Sequence, residues 1–143
     1  MAAPGTREPI VVRHDGGLRF DAQVRSHHVV TDQPQRAGGQ DGGPTPLELL
    51  GAALGTCIAL YVQQFCQSRS LPTDGLRVEV VQHGESNPGR IGAFVVRVML
   101  PPDIPARYVE LVERVAQSCP VHHTLQQGAT VTVCVEAPIA AEL

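Results

Sequence analysis

The sequence contains no lysine and no tryptophan, and its aromatic residues are three phenylalanines and two tyrosines. Every basic side chain is therefore an arginine or a histidine, and the eleven arginines are scattered along a chain of formal charge −3. No basic stripe of the kind that follows a phosphate backbone is present, which argues against a nucleic-acid partner. With so few aromatics, any pocket is expected to have aliphatic walls. A dense cysteine framework is also missing: the four cysteines, at 57, 66, 119 and 134, lie far apart and lack paired zinc-knuckle spacing. Neither a metal nor a cofactor is expected. The first residues carry no continuous apolar core of signal-peptide type, and the longest apolar run, Leu47 to Val62, is broken by Glu48 and by small polar or glycine positions. The expectation is a soluble cytoplasmic protein with no membrane partner. The glycine run Gly38 to Gly43 lacks the Lys-Ser/Thr ending of a phosphate-binding loop.

A chain of 143 residues fits one domain, taken as 1–143, whose core gains if a partner subunit covers a long apolar helix. Residues 9–13, 18–25 and 27–31 read as short strands, the first two joined through Asp15-Gly16-Gly17. Gln33 to Pro46 is a Gly/Pro-rich loop. From Pro46 onward, Leu47, Leu50, Leu54, Ile58, Tyr61 and Phe65 recur at helical spacing, and Pro72 lies beyond the helix end. Such a helix of roughly 20 to 25 residues is about 30 to 37 Å long. Its glycines at 51 and 55 each cost about 1 kcal/mol relative to alanine, so close approach by a neighbouring element is the expected compensation.

The second half predicts two alternating strands, Leu76-Val78-Val80 and Phe94-Val96-Val98-Leu100, across a turn at 87–92. A helix over 104–117 follows, then a short one from Pro120 to Gln127 closed by Gly128, and a final strand over 129–137. The order ββ(β)–α–ββ–α–α–β is of the α+β class.

Two thiols stand out. Cys57 lies three turns into the long helix, too far from its N-terminus for the helix dipole to favour the thiolate. Cys119 precedes Pro120 at a helix N-cap, where free N–H groups favour an anion, so local physics makes Cys119 the more acidic of the two. Glu48 lies nine residues before Cys57, on the opposite side of the helix axis, so the two cannot touch along one helix.

Thr45-Pro46-Leu47-Glu48-Leu49-Leu50-Gly51-Ala52-Ala53-Leu54-Gly55-Thr56-Cys57 after a glycine-rich loop, with Cys119-Pro120-Val121 about 60 residues later, closely resembles the OsmC/Ohr family of thiol-dependent peroxidases. The likeness runs over almost the whole chain and is nearer the OsmC-like branch. It implies an OsmC-like fold, with antiparallel sheets wrapped around a long central helix in an intertwined homodimer whose two active sites form at the subunit interface. It further implies that Cys57 is the peroxidatic and Cys119 the resolving cysteine. Cys57 would become a sulfenic acid on reducing an organic hydroperoxide, or hydrogen peroxide, and then condense with Cys119. An external dithiol, from a lipoylated protein, thioredoxin or glutaredoxin, would reopen the disulfide. Glu48 matches the family glutamate that holds an arginine guanidinium. For that arginine the sequence offers Arg36, placed as in the OsmC branch and favoured here, and Arg19, placed as in the Ohr branch. The pair His122-His123 is not a family hallmark; it would tune Cys119 or cap the short helix.

Other readings of these residues stand beside this one. A cysteine among glycine and alanine in an apolar helix is commonly a small buried hydrophobe, and Cys66 and Cys134 are read that way. Cys119 and His122 lack a second ligand pair for zinc. Glu48 also suits the first turn of a helix for its dipole alone. The competing class is a non-enzymatic small-molecule binding or redox-sensing protein on the same fold. Cys-His hydrolase chemistry ranks last, since no orienting acid or oxyanion-hole motif is recognisable.

Overall fold

The computed structural model describes Gly5 and residues 7–138. Strands β1 (Val11–His14), β2 (Phe20–Val24) and β3 (His27–Thr31) form an antiparallel meander in the order β1-β2-β3. Helix α1 (Pro46–Ser68) follows the glycine loop, which carries one 3-10 turn at Gln35–Ala37. Strands β4 (Arg77–Glu85) and β5 (Arg90–Met99) make a second antiparallel hairpin, followed by α2 (Val109–Ala116) and α3 (Pro120–Gln127). The α+β class and the order of elements read from the sequence are observed as far as α3.

Helix α1 organises the second and larger part of the molecule. Thr45 and Glu48 form a reciprocal capping box at its start: Thr45 N–H donates to Glu48 Oε1 at 2.9 Å, and Glu48 N–H donates to Thr45 Oγ1 at 3.2 Å. Pro46 occupies the first turn, where its missing N–H costs nothing. By length and hydropathy α1 meets the measure of a membrane-spanning helix, but β4 packs along one side and α2 and α3 along another, as around a core helix. Leu54, Ile58, Val62 and Cys66 bury at four-residue steps and meet Val112 and Cys119 in the core.

The two helix glycines explain how β4 lies so close. A Cβ on Gly51 would come within 2.9 Å of the Gln82 amide, whose Nε2 donates to Leu47 O at 2.7 Å, and one on Gly55 would reach Val80 at 3.0 Å. The close approach expected from the sequence is thus made by the sheet.

Three local expectations need correction. The turn between β4 and β5 is shorter than 87–92, because Arg90 to Gly92 already belong to β5. The helix expected over 104–117 is α-helical only from Val109; Pro105 starts a 3-10 turn, with Tyr108 N–H bonded to Pro105 O at 3.0 Å. The strand expected over 129–137 is absent among the described residues: in the single chain this segment pairs with neither the β1–β3 meander nor the β4–β5 hairpin. Val131, Val133 and Val135 stand 81%, 79% and 90% exposed, an alternating apolar row with nothing against it. The β1–β3 meander likewise makes no extensive packing with α1 or with the β4–β5 hairpin.

Candidate functional site

Two polar centres flank α1. The first is built on its middle. Cys57 projects partly exposed from the third turn, and Tyr61 follows one turn later on the same side. Cys119 is the N-cap of α3, and its Sγ accepts the His122 N–H at 3.3 Å. Cys57 packs against the core cluster that contains Cys119 and acts on its titration, and Cys57, Cys66, Cys119 and Cys134 are all free. Helix α1 and the α2–α3 junction thus bring together two thiols that stand far apart in sequence.

Cys119 is fully buried, and its titration departs from the sequence expectation. Burial pushes the thiol above its ordinary value, the N–H groups of His122 and Val121 pull it down, and the neighbouring Cys57 pushes it up again. Desolvation outweighs the helix N-terminus, so Cys119 is held as a neutral thiol and not as the acidic partner. The Tyr61 phenol is also raised, first by burial and then by the charges that Cys57 and Cys119 would carry. His122 reaches Cys119 through its main chain, while its ring meets that of His123 edge-on at 6.0 Å.

The second centre surrounds the N-terminus of α1. Asp32, only 2% exposed, directly follows β3 and receives the N–H groups of Gln33 at 2.7 Å, Gly42 at 3.0 Å and Gln40 at 3.3 Å. These donors, chiefly that of Gly42, hold its carboxyl below the ordinary range. The glycines let the loop wrap this tightly. A Cβ on Gly39 would overlap the Gln33 carbonyl, and one on Gly43 would lie 2.5 Å from Val30 O. The wrapped loop carries Arg36 to the start of α1. Glu48 is held low mainly by its bonds with Thr45 and further by the charge of Arg36. Arg19 instead pairs with Asp15 at 3.1 Å and adds its charge to Asp32.

Of the five residues singled out from the sequence, Cys57 and Cys119 meet each other, and Glu48 and Arg36 lie near enough to interact by charge. Neither Arg36 nor Arg19 is among the groups acting on Cys119 or Tyr61. Sequence reasoning missed two members. Tyr61 was legible as the i+4 neighbour of Cys57 but was counted only for its apolar spacing. Asp32 had one signal, an aspartate directly before a glycine-rich loop, where it can accept several main-chain N–H groups.

A cavity of about 960 Å³ opens between α1, β5, α2 and α3, walled by Leu50, Leu54, Phe94, Val96 and Val112 and edged by His122. Neither thiol lines it. Its walls are mostly aliphatic, as the composition implied.

The family model described as OsmC-like protein matches residues 38–133, from the glycine loop to beyond α3. The chain belongs to the OsmC-like family. Solved structures of OsmC-like folds agree in architecture. An osmotic stress induced and detoxification response protein, so described, from Psychrobacter arcticus 273-4 superposes with a TM-score of 0.76 at 19% identity, covering 86% of this chain and 91% of its own. An OsmC-like protein from Mycoplasma pneumoniae gives 0.66 at 20% identity over 85% and 88% of the two chains. An organic hydroperoxide resistance protein from Legionella pneumophila gives 0.57 at 15% identity over 85% and 92%. At these identities the likeness is one of fold. No curated protein matches the chain.

Proposed function

We propose that this OsmC-like protein is a thiol-dependent peroxidase that reduces organic hydroperoxides. The observation that carries the reading is the nearness of Cys57 to Cys119, two free thiols: Cys57 packs against the core cluster that contains Cys119 and acts on its titration. Cys57 is the more accessible of the two and takes the attacking role. Its thiolate attacks the distal peroxide oxygen, the O–O bond breaks, and the leaving alkoxide takes a proton to depart as an alcohol. Cys57 is then a sulfenic acid. Cys119 displaces the hydroxyl, releasing water and forming the Cys57–Cys119 disulfide. A dithiol supplied from outside reduces that bond by exchange and is itself oxidised to a disulfide. A thiol kept neutral by burial suits the resolving role, since it does not repel the attacking thiolate beside it.

The functional unit in this reading is a homodimer. Glu48 and Cys57 of one chain are separated by about 13 Å along the helix axis. The Arg36–Glu48 pair would therefore act on the thiols of a second copy, lowering the charge cost of the thiolate and orienting the peroxide. The exposed valines at 131, 133 and 135 and the loosely packed β1–β3 meander supply surface for that second copy.

The test is intact-mass analysis of reduced protein after one equivalent of an organic hydroperoxide, with peptide mapping. A loss of two mass units per chain, mapped to Cys57–Cys119 and reversed by a dithiol, is expected. A Cys57→Ser chain that keeps full dithiol-dependent turnover would sink the proposal. The aliphatic cavity supports a second reading, stoichiometric binding of an apolar small molecule; binding that persists without turnover when both thiols are replaced would favour it.

A further inference from the structure

Arg36, the side chain that the peroxidase reading turns toward a second copy, is exposed and makes no hydrogen bond or short ion pair of its own among the described residues. Where its guanidinium stands is therefore set by its backbone. That backbone belongs to the loop between β3 and α1, and one buried side chain ties three points of the loop together. Asp32 Oδ1 accepts the Gln33 N–H at 2.7 Å, while Oδ2 accepts those of Gln40 at 3.3 Å and Gly42 at 3.0 Å. Main-chain bonds complete the enclosure: the N–H groups of Ala37 and Gly39 donate to Pro34 O at 2.9 and 3.2 Å, and that of Asp41 donates to Gln33 O at 2.9 Å. Residues 33–42 thus close on themselves, with Arg36 in the 3-10 turn inside the closed stretch.

We infer that Asp32 is the positioning residue for Arg36: its carboxylate holds the loop in the closure that fixes where the guanidinium stands, a role that rests on the peroxidase reading for its use in catalysis. The chemistry of the group suits this task. A carboxylate offers two oxygens with about four lone-pair positions, enough for three N–H groups arriving from 33, 40 and 42. Asparagine has the same outline, but its NH2 group would turn a donor against a main-chain donor on one side or the other. Because Asp32 is only 2% exposed, a bond lost there leaves a polar group without water to replace its partner. A loop cut at Asp32 keeps its ends, since Asp32 N–H still donates to Pro44 O at 3.2 Å and Thr45 still caps α1. What it loses is the shape between them, and with it the setting of Arg36.

The test is a double-mutant cycle in the full-length protein, read by turnover of cumene hydroperoxide with dithiothreitol and, without peroxide, by peptide-level amide hydrogen exchange. Asp32→Asn is expected to lower kcat/KM about tenfold in the wild-type chain, as misplacement of an orienting group does, and to cost nothing further in the Arg36→Ala chain. General loosening of the fold would lower both backgrounds alike. Exchange in peptides covering 33–42 is expected to quicken about tenfold in Asp32→Asn, with those of α1 unchanged. Gly39→Ala opens the same closure with the carboxylate left in place, because its Cβ would overlap the Gln33 carbonyl. It is expected to follow the same pattern, so the cycle can be closed even where Asp32→Asn does not fold. Full kcat/KM in Asp32→Asn, while Arg36→Ala is impaired, overturns the inference; so does an equal loss in both backgrounds, or unchanged exchange over 33–42. If exchange quickens while no version, wild type included, consumes hydroperoxide, the peroxidase reading fails and the hold of Asp32 on the arginine loop stands.

Discussion

The two centres on α1 are opposite in construction. Around Asp32 and Glu48, main-chain N–H groups converge on carboxylates and hold them ionised; around Cys57 and Cys119, burial dominates and holds Cys119 neutral. Both include a helix N-terminus, at Thr45 and at Cys119 respectively. The difference teaches that a helix N-terminus does not by itself make an anion. Glu48 at the start of α1 is exposed to water and loses little on charging, whereas Cys119 is fully buried and would forfeit its hydration. Two N–H donors do not offset that loss.

The largest test of this division asks whether the charged centre serves the thiol centre of another copy. Arg36→Ala is predicted to lower kcat/KM for hydroperoxide about 100-fold, in the range lost when one stabilising donor is removed from an active site. Its thermal stability should change little, because Arg36 is exposed and its effect on Glu48 is one of charge alone. Mixing unfolded Arg36→Ala and Cys57→Ser chains and refolding them together should restore about one quarter of wild-type activity, since half the dimers are mixed and each carries one intact shared site. No recovery on mixing would mean that Arg36 serves its own chain or none.

A second test breaks the carboxylate centre from within. Gly39→Ala sets a methyl group into the Gln33 carbonyl and close to Asp32 Oδ1, and backbone cannot yield as a flexible side chain would. The expected cost is about 2 kcal/mol or more, measured as a shift in urea midpoint with an unchanged slope. The Cys57–Cys119 disulfide should still form in the protein that remains folded. Stability equal to wild type would show that the loop does not depend on its wrap around Asp32.

How far these centres were legible in the sequence follows from the range of the forces that build them. Helix α1 was legible almost to the residue, because Thr45, Pro46 and Glu48 fix its start by contacts within four positions. Helix α3 was equally clear from Pro120 and Gly128, the latter with φ of 77°. Residues 129–137 alternate as a strand would, but a strand is a pairing, and in the single chain this segment joins neither sheet. The acidity of Cys119 was misjudged for a similar reason: its N-cap position is local, whereas its burial is produced by α1, distant in sequence. Asp32 was missed because its three donors become a cluster only when the glycines allow the loop to close.

The smallest expected effect is the pH dependence of stability, and it distinguishes the centres by sign. Asp32 and Glu48 have folded values below their ordinary 3.8 and 4.5, so their contribution is present above those values and is lost as pH falls below them. Cys119 is raised above its ordinary 9.0, as is Cys66 by burial, so folding holds protons that the unfolded chain gives up. That contribution is intact below pH 9.0 and is lost as pH rises beyond it. Stability of the reduced protein should therefore be flat between about pH 5 and 8 and decline on both sides. Asp32→Asn should shallow the acid limb alone, because its amide has no charge for the loop N–H groups to hold. Cys119→Ser should shallow the alkaline limb alone, leaving the share that belongs to Cys66 and to the raised Tyr61 phenol. Urea midpoints across this range, taken with a thiol reductant present, measure both. If the alkaline limb survives Cys119→Ser in full, burial is not what controls this thiol, and the contrast between the two ends of the site collapses into a difference of side-chain type.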